Sequence, residues 1–450
     1  MPRVSRREFV GATVGTAALA GLLPRGASAQ TRPNVPRPNV LFILADDLGY
    51  GDLSCYGRPD YETPVLDRLA TQGVKLTSAY AAAPVCTPTR CALITGRYPQ
   101  RLPVGLQEPL SARSPPHLGI PQDHPTIATQ LKAAGYDTAL IGKWHLGWDP
   151  QFNPTRHGFD EFFGSLSGAV DYFTHVAADA SEGGPDLWEN TTRVERGGYL
   201  TDLFTERAVD YVSRRHAQPF YLSLHYNAPH SPWEGPDDAG VDHTRHGGGP
   251  MADGGSQRAY AAMMRSMDSG IGRVLEALRR ARIERDTLVV FTSDNGGERY
   301  SYNWPFSFEK FYLNEGGIRV PAIVRWPGVV PTNRTVDQAV ITMDWTATFL
   351  ALAGAAAGAG YPLDGENVLP VLTGERGVYD RALFWRTRTR DAARVGRWKY
   401  VKDSGEEHLY DLAVDLGEKA ERKADEPDVF AQVKKQYDAW ATQMLPRPAA

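Results

Sequence analysis

The sequence predicts an α/β fold in which helices flank a mixed, largely parallel central sheet. Four short segments are mostly apolar, which is typical of strands buried on both faces of a parallel sheet. They are Asn39–Ala45, Asp137–Ile141, Phe220–Tyr226 and Asp286–Ser293, and helical segments separate them along the chain. After about residue 376 the pattern changes to short strands with turns between them, so we also expect a smaller C-terminal antiparallel sheet with a helix.

The chain has 450 residues, enough for a large core and two domains. We expect a main domain over residues 36–375 and a C-terminal α+β subdomain over residues 376–450. The formal charge of −4 becomes −7 without residues 1–29, and no block of basic residues remains. Nucleic acid and anionic membranes are therefore poor candidate partners. With only three cysteines, the fold depends on its core rather than on disulfides.

Residues 1–29 have the features of an export signal. Arg6 and Arg7 precede an apolar run over residues 10–23, and Ala27-Ser28-Ala29 offers a small-residue cleavage site. The run has the ~7–15 residues of a signal peptide rather than the ~20 of a spanning helix. Paired arginines are typical of twin-arginine export. We therefore expect a bacterial periplasmic or secreted protein with no stable membrane partner after cleavage; an uncleaved anchor is the alternative.

Polar side chains follow the first and the last of the predicted buried strands. Asp46 and Asp47 come directly after the first, and Asp294 and Asn295 come directly after the last. Open α/β sheets place their ligand sites at the carboxyl ends of strands. Carboxylate and amide oxygens are the ligands that Ca²⁺ or Mg²⁺ prefers, whereas zinc sites use histidine or cysteine. The sequence therefore predicts a calcium or magnesium site at this edge.

Two further strand ends carry basic residues. Lys143 and His145 follow the second predicted strand at alternating positions, so both side chains could point to one side of an extended chain. His230 follows the third strand between two prolines, which hold it in a rigid extended turn. We expect these three residues to be functional. His225 is interpreted as an ordinary strand residue.

The stretch Cys86-Thr87-Pro88-Thr89-Arg90 predicts the start of a helix. Pro88 is tolerated in the first turn of a helix, and good helix formers follow it. Cys86 would then lie at the positive end of the helix dipole, with Arg90 on the same face one turn later. An anion is the natural ligand of such a corner.

This spacing resembles the type I sulfatase signature, Cys-x-Pro-x-Arg. Gly142–Gly147 is similar to a second motif of that family, and Lys310, five residues before Glu315, is similar to a third. The resemblance covers roughly residues 36–420 and rests on five motifs in the family's order. It implies an alkaline-phosphatase-like α/β sandwich, hydrolysis of sulfate esters, and oxidation of Cys86 to formylglycine by a formylglycine-generating enzyme.

The resemblance also implies roles for the candidate residues. The metal, Ca²⁺ or possibly Mg²⁺ by the oxygen ligands, would be held by Asp46, Asp47, Cys86 as formylglycine, Asp294 and Asn295. The sulfate charge would be neutralised by Arg90, Lys143 and Lys310. His230 would protonate the leaving alcohol, and His145 would deprotonate the second hydroxyl of the formylglycine hydrate so that sulfate is expelled.

Two alternatives to a sulfatase remain open at this stage. The same superfamily contains phosphonate monoester and phosphodiester hydrolases, and a protein with unmodified Cys86 could bind sulfated glycans without catalysis. Residues Phe306–Glu309 depart from the glycine- and arginine-rich approach to Lys310 that many relatives have, which leaves the substrate fit open. The expected substrate is a sulfated small molecule or, since export favours it, a sulfated glycan.

Overall fold

The structure, a computed structural model, describes residues 37–177, 184–240 and 255–448. The predicted export signal of residues 1–29 lies outside these residues. The strands are β1 (Asn39–Ala45), β2 (Val74–Tyr80), β3 (Asp137–Gly142), β4 (Glu161–Gly164), β5 (Trp188–Glu189), β6 (Thr192–Arg193), β7 (Phe220–His225), β8 (Thr287–Ser293), β9 (Arg319–Arg325), β10 (Arg334–Val336), β11 (Val340–Ile341), β12 (Ala382–Arg386), β13 (Asp391–Val395), β14 (Trp398–Asp403) and β15 (Glu406–Asp411). The helices are α1 (Pro64–Thr71), α2 (Cys86–Thr95), α3 (Ile127–Ala133), α4 (Leu200–Ser213), α5 (Gln257–Arg280), α6 (Glu315–Ile318), α7 (Thr342–Ala353), α8 (Leu369–Thr373) and α9 (Pro427–Ala441).

The central sheet is mixed and largely parallel, as predicted. Its strand order is β10-β2-β9-β8-β1-β7-β3-β4-β5-β6, with β11 paired to β2. The four strands predicted as buried are β8, β1, β7 and β3, which are adjacent in that order and parallel. Strand β9 runs antiparallel to both β8 and β2. The carboxyl ends of the four central strands therefore lie along one edge.

Strand β1 carries core residues on both faces of the sheet. Leu41 and Ile43 belong to a core shared with α1, α4 and α5. Phe42 and Leu44 belong to a second core shared with α2, α3 and α7. Because alternate side chains of a strand point to opposite faces, an unbroken apolar run is what a strand between two helical layers requires. In the described part of the chain, none of the helices has the length and apolarity that crossing a bilayer requires.

The C-terminal region contains the predicted antiparallel sheet and helix. Strands β12 to β15 pair in sequence order, and α9 packs on β13 and β14. Leu383 and Trp385 of β12 share a hydrophobic core with Tyr80 of β2 and Ile318 of α6. The small sheet is thus joined to the central one by a common core. The domain boundary at residue 376 stays a prediction.

Candidate active site

The acidic residues that follow β1 and β8 interlock at the carboxyl edge of the sheet. The Asp47 backbone N–H donates to Asp294 Oδ1 at 3.2 Å. The Asn295 side-chain amide donates to Asp47 Oδ1 at 2.7 Å. Asp46 is fully buried beside them. Adjacent parallel strands with a common register bring these residues together although 247 positions separate Asp47 from Asp294.

Two lysines neutralise part of this acidic group. Lys143 follows β3, and its Nζ lies 2.5 Å from Asp46 Oδ2; both side chains are fully buried. Lys310 comes from the segment before α6, and its Nζ lies 2.6 Å from Asp47 Oδ2. Each ammonium therefore holds one carboxylate in place. Buried ion pairs of this kind are tolerated only when both partners are present.

Cys86 is the first residue of α2 and is 1% exposed. The preceding residue, Val85, provides no side-chain cap, so the positive end of the helix is not neutralised from that position. Arg90, one turn later, donates from Nε and Nη2 to Asp294 Oδ2 at 3.1 and 2.8 Å. Burial raises the pKa of the Cys86 thiol to about 11, although Lys143 opposes the shift.

His225, interpreted from the sequence as a strand residue, supports Arg90. The Lys143 carbonyl accepts from Arg90 Nη1 at 2.9 Å and from His225 Nδ1 at 3.1 Å. Ser223 Oγ lies 2.7 Å from His225 Nε2 and donates to it. The signal that could have identified His225 is its position as the last residue of β7, between β1 and β3.

His230 lies beside Lys310 and Asp47. Its Nδ1 lies 2.6 Å from the Ser231 carbonyl; a carbonyl only accepts, so Nδ1 carries the proton and Nε2 is the acceptor. Nε2 is 3.3 Å from Lys310 Nζ and 3.4 Å from Asp47 Oδ2. Burial lowers the pKa of His230 to about 3.

The His145 side chain is positioned differently from the prediction. Strand β3 ends at Gly142, and His145 has a left-handed backbone (φ 58°), so the predicted strand alternation with Lys143 is wrong. A hydrogen bond of 2.8 Å from Nε2 to the Leu110 carbonyl orients the ring instead. Its Nδ1 is buried and has no hydrogen-bond partner among the described residues. A Cβ on Gly168 would lie 2.3 Å from this ring, so only glycine fits there.

The surroundings shift the pKa values of two carboxyl groups of the site in opposite directions. Burial, and after it the charge of Asp46, raise the pKa of Asp294 to about 7 against the effect of Arg90. Burial would also raise the pKa of Asp47, but Lys310 and His230 together hold it well below its usual range. The site therefore contains more acidic groups than its cations fully stabilise as carboxylates.

Buried oxygen atoms without a hydrogen-bond partner indicate a cation site. Asp46 Oδ1 and Asn295 Oδ1 are buried and have no hydrogen-bond partner among the described residues. One carboxylate oxygen from each of Asp46 and Asp294 and the Cys86 sulfur lie within 4.8 Å of one another. A divalent cation bound by oxygen ligands would satisfy both unpartnered oxygens and the excess of acidic groups. The residues present thus fit such an ion.

Comparison with known proteins identifies the family. A family model described as Sulfatase matches residues 38–355, well over half of the chain. The chain belongs to the sulfatase family. A second model, described as N-sulphoglucosamine sulphohydrolase, C-terminal, matches residues 302–442. This sulfatase is therefore an enzyme that hydrolyses sulfate esters, as the sequence motifs implied.

Relatives and solved structures agree with this assignment. N-acetylgalactosamine-6-sulfatase of Canis lupus familiaris is 36% identical over 418 residues, covering 87% of the sulfatase described here and 76% of the relative. Steryl-sulfatase of Mus musculus is 34% identical, with 80% and 69% covered. The crystal structure of Ps i-CgsB in complex with k-i-k-neocarrahexaose matches with a TM-score of 0.82 and 32% identity, covering 92% of this sulfatase and 94% of that chain. The alkaline-phosphatase-like fold is thereby confirmed.

Proposed function

We propose that this sulfatase removes sulfate from a sulfated carbohydrate, using a formylglycine made from Cys86 and a bound Ca²⁺, with Mg²⁺ as the alternative ion. The observation that carries the proposal is the position of Cys86. It begins α2, is buried, and lies within ion-binding distance of Asp46 and Asp294. A relative named N-acetylgalactosamine-6-sulfatase, and a similar structure in complex with k-i-k-neocarrahexaose, favour a sugar as the alcohol part.

The ion would be held by the oxygens of Asp46, Asp47, Asp294, Asn295 and residue 86. When bound, it would polarise the sulfate group and acidify the aldehyde hydrate of formylglycine. The chain's contribution is to fix the ligands before substrate arrives. Asp47 is oriented by Asn295 and Lys310, and Asp294 by Arg90.

Three cationic side chains would neutralise the remaining negative charge of the sulfate group. Arg90, Lys143 and Lys310 each hold a buried carboxylate, so their positions are set before the reaction begins. Cationic groups fixed in a water-poor site stabilise developing negative charge without reorganising, which is a large source of rate enhancement.

The unmodified thiol is a poor nucleophile in this position. With its pKa raised by burial to about 11, Cys86 stays protonated at neutral pH, and the thiolate is the reactive form of cysteine. A formylglycine hydrate supplies two hydroxyl groups, one to attack sulfur and one to allow sulfate to leave. This requirement supports oxidation of Cys86 by a formylglycine-generating enzyme during maturation.

The two histidines provide the proton transfers. His230 Nε2 accepts from Lys310 Nζ, so a proton for the departing alcohol would come from the Lys310 ammonium through Nε2, and Lys310 would be left as a neutral amine until it is reprotonated from solvent. The unpartnered Nδ1 of His145 is an acceptor, because Nε2 carries the ring proton, and it can take a proton from a hydroxyl on residue 86. These assignments give the two histidines different tasks: His230 relays the proton of Lys310 to the leaving group, and His145 acts as a base.

Rates on two synthetic substrates test the proposed reaction. The enzyme should hydrolyse a nitrophenyl sulfate at least about a hundredfold faster than a nitrophenyl phosphodiester, a difference of roughly 3 kcal/mol in transition-state binding. Cys86→Ala should hydrolyse neither. A preference for the phosphodiester would assign the protein to that branch of the superfamily. Tight binding of a sulfated glycan with no turnover by fully converted protein would make it a binding protein.

We also propose that the chain is exported by the twin-arginine route. The support is Arg6, Arg7 and the apolar run after them; the relatives named above are mammalian and do not support this route. Replacing both arginines by lysine should leave the precursor in the cytoplasm of a bacterial host, as judged by fractionation. Unchanged export of that double variant would contradict the proposal.

A further inference from the structure

The segment that carries Lys310 presents aromatic rings to solvent. The Lys310 side chain points inward and is 5% exposed, whereas Phe308 and Phe311 on either side of it are 52% and 44% exposed. The Phe311 ring centroid lies 5.4 Å from Lys310 Nζ, so an exposed apolar ring lies directly beside a buried active-site lysine. Exposed apolar surfaces on soluble proteins commonly mark binding sites.

Both phenylalanines adopt an unfavourable backbone conformation. Phe308 has φ 66° and Phe311 has φ 76°, in the left-handed region that bulky residues rarely enter. Glycine or asparagine would occupy these positions with less strain, and burial of the rings does not compensate, because about half of each is exposed. Strain that packing does not explain is a reason to look for a function.

Hydrogen bonds hold this segment rigidly against the catalytic centre. The Phe311 N–H donates to the Pro84 carbonyl, two residues before Cys86, at 2.9 Å. The Phe311 carbonyl accepts from Arg390 Nη1 at 3.2 Å, and the Lys310 N–H donates to the Gly297 carbonyl at 3.2 Å. The backbone at Phe311 is thus tied to the segment before Cys86, and the ring centroid of Phe311 lies 5.4 Å from Lys310 Nζ.

Neighbouring side chains extend the surface. The ring of Tyr312 lies 4.9 Å from that of Phe308, centroid to centroid, and the Arg390 guanidinium lies 4.4 Å from the Tyr312 ring centroid. Aromatic faces with a cation beside them suit a ligand that has both an apolar face and anionic or hydroxyl groups.

We propose that Phe308 and Phe311 form a substrate-binding surface that stacks on a sugar ring adjacent to the one carrying the scissile sulfate. The inference rests on the proposed function and extends it to substrates of at least two sugar units. A sugar ring fits because it has an apolar C–H face and a hydroxylated edge and can remain half-solvated. A steroid-like alcohol would need an enclosing apolar pocket, which buries most of its ligand, rather than an open surface.

Asparagine substitutions test the surface without disturbing the backbone. Phe308→Asn and Phe311→Asn remove the ring but keep a residue that tolerates the left-handed region. For a sulfated oligosaccharide, we expect KM to rise roughly three- to tenfold per ring, as the loss of a stacking contact predicts, with kcat less affected. The loss of kcat/KM on the oligosaccharide should exceed the loss on nitrophenyl sulfate by the same factor. The unfolding temperature should not fall.

Conservative variants and other ligands complete the experiment. Phe308→Tyr and Phe311→Tyr keep a ring and should therefore have the same KM for the oligosaccharide as the parent enzyme. Equal losses on both substrates, or an unchanged KM for the oligosaccharide, would overturn the inference. A raised KM for a steroid sulfate alone would assign the surface to an apolar alcohol instead. Loss of self-association in the asparagine variants with unchanged kinetics would make it a contact between copies. If the parent enzyme fails to hydrolyse nitrophenyl sulfate, the proposed function itself is wrong, which is a separate outcome.

Discussion

Two groups of buried charged and polar residues in this protein differ in how their acidic residues are arranged. The first, the active-site cluster, consists of Asp46, Asp47, Arg90, Lys143, Asp294 and Lys310. The second, the support cluster, consists of Tyr80, Glu315, Arg319, Lys399 and Glu418. Both are almost fully buried.

The support cluster is closely paired around one carboxylate. Glu315 Oε1 accepts from Lys399 Nζ at 2.6 Å, and Oε2 accepts from the Tyr80 hydroxyl at 2.6 Å and from Arg319 at 3.0 Å. Burial would raise the pKa of Glu315, but Lys399 and Arg319 outweigh it and lower the pKa to about 2. Glu418 is held less tightly, 3.5 Å from Lys399 Nζ, and burial raises its pKa to about 7. The cluster joins β14 to α6 and β9.

In the active-site cluster, three aspartates from the ends of two adjacent strands, β1 and β8, lie close together. Asp46 and Asp294 lie close enough to raise the pKa of Asp294, and Asp46 Oδ1 has no hydrogen-bond partner among the described residues. Buried charge alone therefore does not identify an active site. What distinguishes this cluster is acids from adjacent strand ends that crowd together, which is costly unless a cation joins them.

The largest contrast should come from neutralising one carboxylate in each cluster. Asp294→Asn should lower kcat/KM for nitrophenyl sulfate by about 10³-fold, because it removes a metal ligand and the partner of Arg90. The chain should remain folded. Glu315→Gln should instead cost about 3–5 kcal/mol of unfolding free energy, since Lys399 loses the nearer of its two buried carboxylates and Arg319 loses its closest one, with little change in activity per folded molecule.

Denaturant titration and kinetics on both variants measure this difference. Equal losses of activity at equal stability would mean that the two clusters do not differ in the way described.

Removing His230 should have a smaller effect that depends on the leaving group. His230→Ala should slow hydrolysis of a sugar sulfate by about 10²-fold, in the range of general-acid catalysis, and nitrophenyl sulfate much less, since nitrophenolate leaves without a proton. Steady-state rates on both substrates decide the point. A loss of the same size on each would remove His230 from this role.

His225 should matter less still, because it acts through its neighbours. His225→Leu removes the donor to the Lys143 carbonyl that helps to position Arg90. We expect kcat to fall by no more than about tenfold, the value of one hydrogen bond. Ser223→Ala, which removes the next hydrogen bond outward, serves as the matched control and should lose less. A loss as large as that of Asp294→Asn would place His225 in direct contact with the reaction.

A separate expected effect is on stability after chelation rather than on the reaction. The pKa of Asp294 is raised to about 7, whereas its unfolded value is near 3.8, so the folded state holds the extra proton between these values. Stability from this group is present below the lower value and is lost as the pH rises toward the higher one. The melting temperature of the chelated parent should therefore fall relative to that of chelated Asp294→Asn between these pH values. Parallel melting curves would contradict the assignment.

The strand ends could be predicted from sequence because unbroken apolar runs fix both where a strand lies and which residues follow it. The positions of Asp46 and Asp294 could be predicted in this way. The position of Cys86 at the start of a helix could be predicted from Pro88 and the helix formers that follow it. Two features depend on contacts distant in sequence and could not be predicted locally. Arg90 and His225 meet on the Lys143 carbonyl across 135 positions, and the Leu110 carbonyl orients His145 from a loop.

The most direct test of the account is the chemical state of residue 86. Trypsin should release Leu76–Arg90, in which Cys86 is the only cysteine. In active enzyme, mass spectrometry should find this peptide with sulfur and two hydrogens lost and one oxygen gained, and the converted fraction should rise in proportion to specific activity when the formylglycine-generating enzyme is co-expressed. A fully active preparation whose peptide is quantitatively alkylated at Cys86 would contradict the account.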